Sequence, residues 1–164
     1  MTTRKIATTP EEMATPEELL SKSGLEFMQD MLAGVHAGPP IAGGMNYWAE
    51  SVADGEATFV GAPLFAYTNP MGTVHGGWYG TVLDSAMGCA VMTKVPKGSA
   101  YTTLEYKINI LRPIPLGMMV RAKAVVQHAG RSTGIATAEL RGVEDDRLYA
   151  TGSTTCIIMK MTGG

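Results

Sequence analysis

Charge is scarce in this chain and nearly cancels. Only 17% of the residues are Asp, Glu, Lys or Arg, and the formal net charge is -2 at pH 7. No basic stripe runs through the sequence, so the electrostatic footprint of a nucleic-acid binder is missing. No apolar run approaches the length that a bilayer demands, which argues against a membrane protein. The N-terminus lacks the charged-then-apolar pattern of a secretory signal. Cysteine is almost absent: Cys89 and Cys156 lie far apart in apolar segments. That pattern fits two buried free thiols in a reducing cytoplasm better than a disulfide or a metal pair. No His, Cys and acid cluster has ligand spacing, so no metal is implied. A length of 164 residues suits one domain and leaves no room for a second.

The chain is organised around residues 69 to 94. This stretch begins as a Pro/Gly turn, passes through His75-Gly76-Gly77, and then runs apolar for about four helical turns. Trp78, Val82, Ser85 and Ala86, Cys89 and Met92 recur at helical spacing, and so do Leu83, Met87, Ala90 and Val91. A helix apolar on most sides is one that a sheet wraps around. Asp84 sits in its middle, where burying an unpaired carboxylate costs several kcal/mol. Its neighbours at helical spacing include Gly77, Gly80 and Gly88. Glycine weakens a helix, and it is tolerated where backbone or ligand must come close. The stripe therefore reads as facing a narrow slot. The alternative is that Asp84 caps a second, shorter helix starting at Ser85.

The helix start carries further chemistry. The amides of Gly76, Gly77 and Trp78 belong to its unpaired N-terminal donors, a place for an oxyanion or a polarised carbonyl. Asp84 lies eight residues beyond Gly76, about 12 Å along the axis. One helix cannot present both ends to one reacting atom. Two antiparallel copies about a two-fold axis can, so an active site here is expected at a homodimer interface.

On either side of this helix the chain reads in order. Thr9-Pro10-Glu11-Glu12 and Thr15-Pro16-Glu17-Glu18 each carry the signature of a capped helix start. A further helix is expected over Leu25 to Ala33. This arm, residues 1 to 38, is read as peripheral, with residues 1 to 8 flexible and His36 a surface side chain in a loop. From Ile41 to Val60 the pattern shifts to strands, Met45 to Val52 and Glu56 to Val60, joined at the turn Asp54-Gly55. After the helix come four strands: Tyr101 to Leu111, Met118 to His128, Ser132 to Val143 and Leu148 to Lys160. In the first of these, Leu104, Tyr106, Ile108 and Ile110 are expected to point one way, and Thr103, Glu105, Lys107 and Asn109 the other. Such segregation means α+β, an antiparallel sheet curled around a helix over residues 39 to 164.

The segment Asn69-Pro-Met-Gly-Thr-Val-His75-Gly-Gly, an acid nine residues after the His, and a long strand ending Leu111-Arg112-Pro113 resemble the hot-dog-fold thioesterases. The branch is that of the phenylacetate-degradation (PaaI-like) and 4-hydroxybenzoyl-CoA enzymes, and the likeness covers roughly residues 40 to 160. The resemblance implies an acyl-CoA substrate, with no separate cofactor, and a site built across a dimer; exposed sheet edges make a dimer of dimers a further expectation. It implies that Asp84 is nucleophile or general base and that Gly77 supplies the amide that polarises the thioester carbonyl. His75 orients the loop or touches the thioester, and Asn69 positions water or substrate. Thr103, or else Thr102, supplies the assisting hydroxyl. Gly76 belongs to the binding segment, Gly130-Arg131-Ser132 matches a turn near the nucleotide end of coenzyme A, and Arg112 is a second phosphate candidate.

Each of these residues also has a plain structural reading: His75 can cap its loop, Asn69 can form a turn, and both arginines can be solvated. An apolar groove lined by Trp78, Tyr79, Leu83 and Met87 is expected to take the acyl chain. Two rival functions remain: a non-catalytic acyl-CoA-binding protein, and a hot-dog dehydratase, for which the sequence lacks a separate His-Phe-Pro segment.

Overall fold

The two threonine–proline pairs near the N-terminus fold differently. The computed structural model describes residues 5–161. Thr15 caps α1 (Pro16–Leu20) with a complete capping box: its hydroxyl accepts from the Glu18 N–H, and the Glu18 carboxylate accepts from its own N–H at 2.7 Å. Thr9 makes no such cap, and Pro10–Glu12 is a single 3-10 turn, because the Glu12 carboxylate is taken by Thr8. A second capping box, Ser23 with Glu26, starts α2 (Gly24–Leu32) one residue before the expected helix. Then a short helix, α3 (Pro40–Gly44), which the sequence pattern does not anticipate, precedes the first strand. Pro40 in its first turn sets a helical φ, which decides the matter in a segment otherwise poor in helix formers.

Part of the arm packs on the core: Met28 of α2 is 2% exposed, and the Gly24 N–H donates to the Val95 carbonyl. Residues 1–4 of the segment expected to be flexible lie outside the described residues, but 5–8 are held. Gly38 N–H donates to the Lys5 carbonyl at 2.8 Å, and Ala7 N–H donates to the Gly38 carbonyl at 2.9 Å. His36 is half-buried rather than a free surface side chain; its ring stacks on Phe27 with centroids 4.9 Å apart.

The strands are β1 (Tyr47–Ala53), β2 (Glu56–Gly61), β3 (Ser99–Ile110), β4 (Val120–Ala129), β5 (Thr133–Gly142) and β6 (Leu148–Lys160). They form one antiparallel sheet in the order β1-β2-β4-β5-β6-β3, with β1 and β3 at its edges. The β1–β2 hairpin turns at Asp54-Gly55, where Gly55 takes φ 79°, a backbone region that favours glycine. Across the concave face lies α4 (Gly76–Met92), in contact with every strand. Val82, Leu83, Ala86, Met87, Ala90 and Val91 are fully buried there. This is the hot-dog architecture, α+β, with an N-terminal helical region packed beside the sheet.

An irregularity in β3 decides which way Thr103 faces. The register of β3 against β6 slips between Thr103 and Glu105, a β-bulge that leaves Leu104 as the extra residue. Strict alternation from Tyr106 backwards would turn Thr103 away from the helix. The bulge reverses the phase, so Thr103 faces α4 together with Tyr101, Tyr106 and Ile110.

Candidate active site

The helix carrying Asp84 is unbroken from Gly76 to Met92, so the reading in which Asp84 caps a second helix is not what forms. Gly76, Gly80, Asp84 and Gly88 recur every four residues and make one face of α4, and β3 lies along that face. A Cβ on Gly80 would come within 3.0 Å of the Tyr106 hydroxyl, and one on Gly88 within 3.0 Å of the Tyr101 hydroxyl. The glycines therefore let two tyrosines of the same chain lie close against the helix, one on each side of Asp84. Ile110 covers Gly76 in the same way, at 3.5 Å. The expected slot is filled by β3: Tyr101, Tyr106 and Ile110 of the same chain pack directly on the glycines.

Between the tyrosines, the Thr103 hydroxyl donates to Oδ1 of Asp84 at 3.1 Å. Thr102 points to solvent. The Asp84 carboxyl is half-buried, and desolvation raises its pKa above the ordinary Asp value, partly offset by the Thr103 hydrogen bond. On the next residue, the Ser85 hydroxyl lies 2.8 Å from the hydroxyl of Tyr47. Burial pushes the Cys89 thiol up to about 12 and the Tyr101 phenol well above its usual value. Burial thus raises the pKa of the titratable groups beside Asp84, while its own carboxyl remains half-buried.

At the other end of α4 the structure separates two glycines that the sequence treats together. The Gly77 N–H donates to Nδ1 of His75 at 2.9 Å, so the His75 side chain caps the helix and Gly77 is engaged. The Gly76 N–H has no acceptor among the described residues. The donor left at the helix start is therefore one residue earlier than expected. With Nδ1 accepting, the neutral His75 ring carries its proton on Nε2. Asn69 closes the preceding loop on itself: its Oδ1 accepts from Met71 N–H at 2.9 Å, and its Nδ2 donates to the Thr73 hydroxyl at 2.9 Å.

The two phosphate candidates lie at opposite ends of the helix. The Tyr79 hydroxyl accepts from Ile114 N–H at 2.9 Å and donates to the Arg112 carbonyl at 3.3 Å, which ties Arg112 to the first turn of α4. The Arg112 guanidinium donates to the Leu148 carbonyl at 2.6 Å. Gly130, Arg131 and Ser132 form the exposed β4–β5 turn, and Gly134 just beyond it packs on Val91 in the last turn of α4. The expected acyl groove does not form. Trp78, Tyr79, Leu83 and Met87 are at most 2% exposed, in a core that the wrapped sheet closes on all sides. The open space lies instead on the Ser85–Cys89–Met92 face, under α2.

Comparison with known proteins supports the fold. Residues 71–149 match the family model described as Thioesterase superfamily. The chain belongs to the thioesterase superfamily. A phenylacetic acid degradation-related protein from Ralstonia eutropha JMP134 superposes with a TM-score of 0.73 at 28% identity, over 80% of this chain and 98% of its own. A thioesterase family protein from Silicibacter pomeroyi gives a TM-score of 0.68 at 28% identity, over 76% and 90%. Mouse acyl-coenzyme A thioesterase 13 is 27% identical over 89 residues, 54% of this chain. That match spans 63% of the mouse protein's length. This thioesterase-superfamily chain thus carries its family segment over α4 and β3 to β5, while α1 and α2 lie outside the matched residues. Among the described residues, no helix is long and apolar enough to cross a membrane.

Proposed function

We propose that the protein hydrolyses an acyl-CoA thioester, with Asp84 as nucleophile or general base and the Gly76 N–H as the donor that polarises the thioester carbonyl. The observation that carries this reading is the half-buried Asp84 carboxyl, raised in pKa and held by Thr103, on the helix whose first amide has no acceptor among the described residues. A donor aimed at the developing oxyanion is typically the largest single catalytic term. A desolvated carboxylate either attacks the carbonyl carbon to give an anhydride or takes a proton from water. Nε2–H of His75 flanks the helix start, where it positions substrate or water, and Asn69 shapes the loop that leads into it. Arg112, beside the helix start, and the Gly130-Arg131-Ser132 turn, beside its far end, are alternative contacts for the phosphates of coenzyme A.

The two ends of α4 meet only across a two-fold axis, with the helix start of each protomer facing Asp84 of its partner. Edge strand β3 supports such pairing, since Leu104, Tyr106, Ile110 and Leu111 on and beside it are 45–59% exposed. A long apolar edge is what a partner strand covers.

Complementation between two inactive variants tests the composite site. Gly76→Pro removes the N–H at a helix position that accepts proline, and Asp84→Asn removes the carboxylate. In a statistical mixture half of the dimers are hybrid, each with one intact site, so activity returns to about one quarter of wild type. A mixture no more active than its components rejects the shared site.

A further inference from the structure

The arm and the central helix enclose a cavity of about 210 Å3. Its floor is Ser85, Cys89 and Met92 on one face of α4, its walls are Tyr47, Phe59 and Tyr101, and its roof is Phe27, Met28 and Met31 of α2 with Leu19 of α1. Apart from the Ser85–Tyr47 hydroxyl pair and the Tyr101–Cys89 pair, which satisfy each other, the lining is apolar. Ser85 adjoins Asp84 in the chain. Tyr101 and Thr103 are two residues apart on β3, the first over Gly88 and the second on Asp84. The cavity therefore starts at Ser85, one residue past Asp84, and extends along the neighbouring face of α4 past Cys89 to Met92.

We propose that this cavity is the acyl subsite of the thioester hydrolysis assigned to Asp84, and that Met31 is the stop that limits acyl length. A dry apolar cavity of about 150 Å3 holds a benzene ring, roughly 25 Å3 per carbon, so this one holds about eight carbons. On its far side lies a larger open groove of about 870 Å3 that runs past Trp48, Val60 and Arg121. Met31, Pro39 and Phe59 line both spaces. Met31 alone of the three is an unbranched, flexible side chain, and it partitions the two. The roof lies outside residues 71–149, so the length limit belongs to this chain's own N-terminal helices and not to the segment matched by the family model.

The inference rests on the thioester reading, and the test keeps the two apart. Wild type, Met31→Ala and Cys89→Leu are assayed on straight-chain acyl-CoAs from acetyl to dodecanoyl and on a phenyl-bearing ester. Each protein is also titrated with the non-hydrolysable thioether analogue of octanoyl-CoA. Wild-type kcat/KM should rise to about eight carbons and fall beyond. Met31→Ala, which joins the cavity to the groove, should raise the dodecanoyl-to-hexanoyl ratio roughly tenfold. Cys89→Leu, which fills the floor, should lower kcat/KM for octanoyl roughly tenfold while acetyl stays within about twofold.

Hydrolysis by wild type with a length profile unmoved in both variants overturns the subsite and leaves the hydrolase intact. Thioether binding weakened by Cys89→Leu, without hydrolysis by wild type, overturns the hydrolase and keeps the subsite. Neither hydrolysis nor binding by wild type overturns both. If one variant fails to fold, the other decides, because filling and opening the cavity move the profile in opposite directions.

Discussion

Gly24→Ala separates what helix propensity says from what the packing says. Gly24 is the first residue of α2, and alanine improves a helix by up to about 1 kcal/mol. In the structure a Cβ at this position would lie 1.8 Å from the main-chain oxygen of Met92 and 2.8 Å from its carbon. Those atoms are backbone in the last turn of α4 and cannot swing aside. The same glycine donates its N–H to the Val95 carbonyl at 2.9 Å, so relief requires α2 to lift away. Lifting costs that hydrogen bond, about 1 kcal/mol. It also exposes part of Met28, which is only 2% exposed now and whose full burial is worth about 1.5–3 kcal/mol. Against the propensity gain, the balance is a loss of about 2 kcal/mol, or a Tm roughly 4–8 °C lower in a domain of this size. Differential scanning calorimetry reads the shift, and amide hydrogen exchange over residues 24–32 locates it. A Tm equal to or above wild type, with unchanged protection of α2, refutes the docking argument.

Asp84→Asn should abolish most turnover and yet stabilise the fold. The folded-state pKa of Asp84 is raised above its unfolded value, so the ionised carboxylate weakens the native state at neutral pH, and that penalty disappears below the ordinary Asp range. The Tm gain of the variant should therefore be present at pH 7 and vanish in acid; a gain independent of pH contradicts it. For the same reason the acid limb of the wild-type kcat/KM profile should lie above the ordinary Asp pKa. Thr103→Val, which removes the hydrogen bond that lowers Asp84, should move that limb to higher pH, whereas Thr103→Ser should leave it in place. The Cys89 thiol, pushed up to about 12, should react with iodoacetamide at pH 8 far more slowly than a free thiol, as followed by mass spectrometry. Rapid labelling at that position in the folded protein refutes the raised thiol pKa.

The central helix and the strand count were legible because their signals are long and periodic. An apolar face recurring through α4 and four alternating strands leave few topologies. Asp84 stood out because packing alone gives a carboxylate no place there. The first Thr-Pro turn at residues 9–12 misled because a capping box needs a free acid three residues on, and Glu12 is committed to Thr8. The face of Thr103 was out of reach because a bulge has no period, and one extra residue at Leu104 reverses every side chain before it. Gly77 looked like the donor because both amides at a helix start look alike in sequence. Only the His75 ring shows which one is engaged. The largest apolar residues of α4 suggest an acyl groove, yet they fill the core. The vacant volume sits where small Ser85 and Cys89 meet an arm that the sequence marks as peripheral.

The most direct measurement is release of free coenzyme A thiol from a panel of aromatic and aliphatic acyl-CoAs by wild type and by Asp84→Ala. Release by the wild type and its loss in the variant, with folding and assembly unchanged, is the predicted result. Equal release by both proteins contradicts the role of Asp84, and no release by wild type from any ester contradicts the hydrolase.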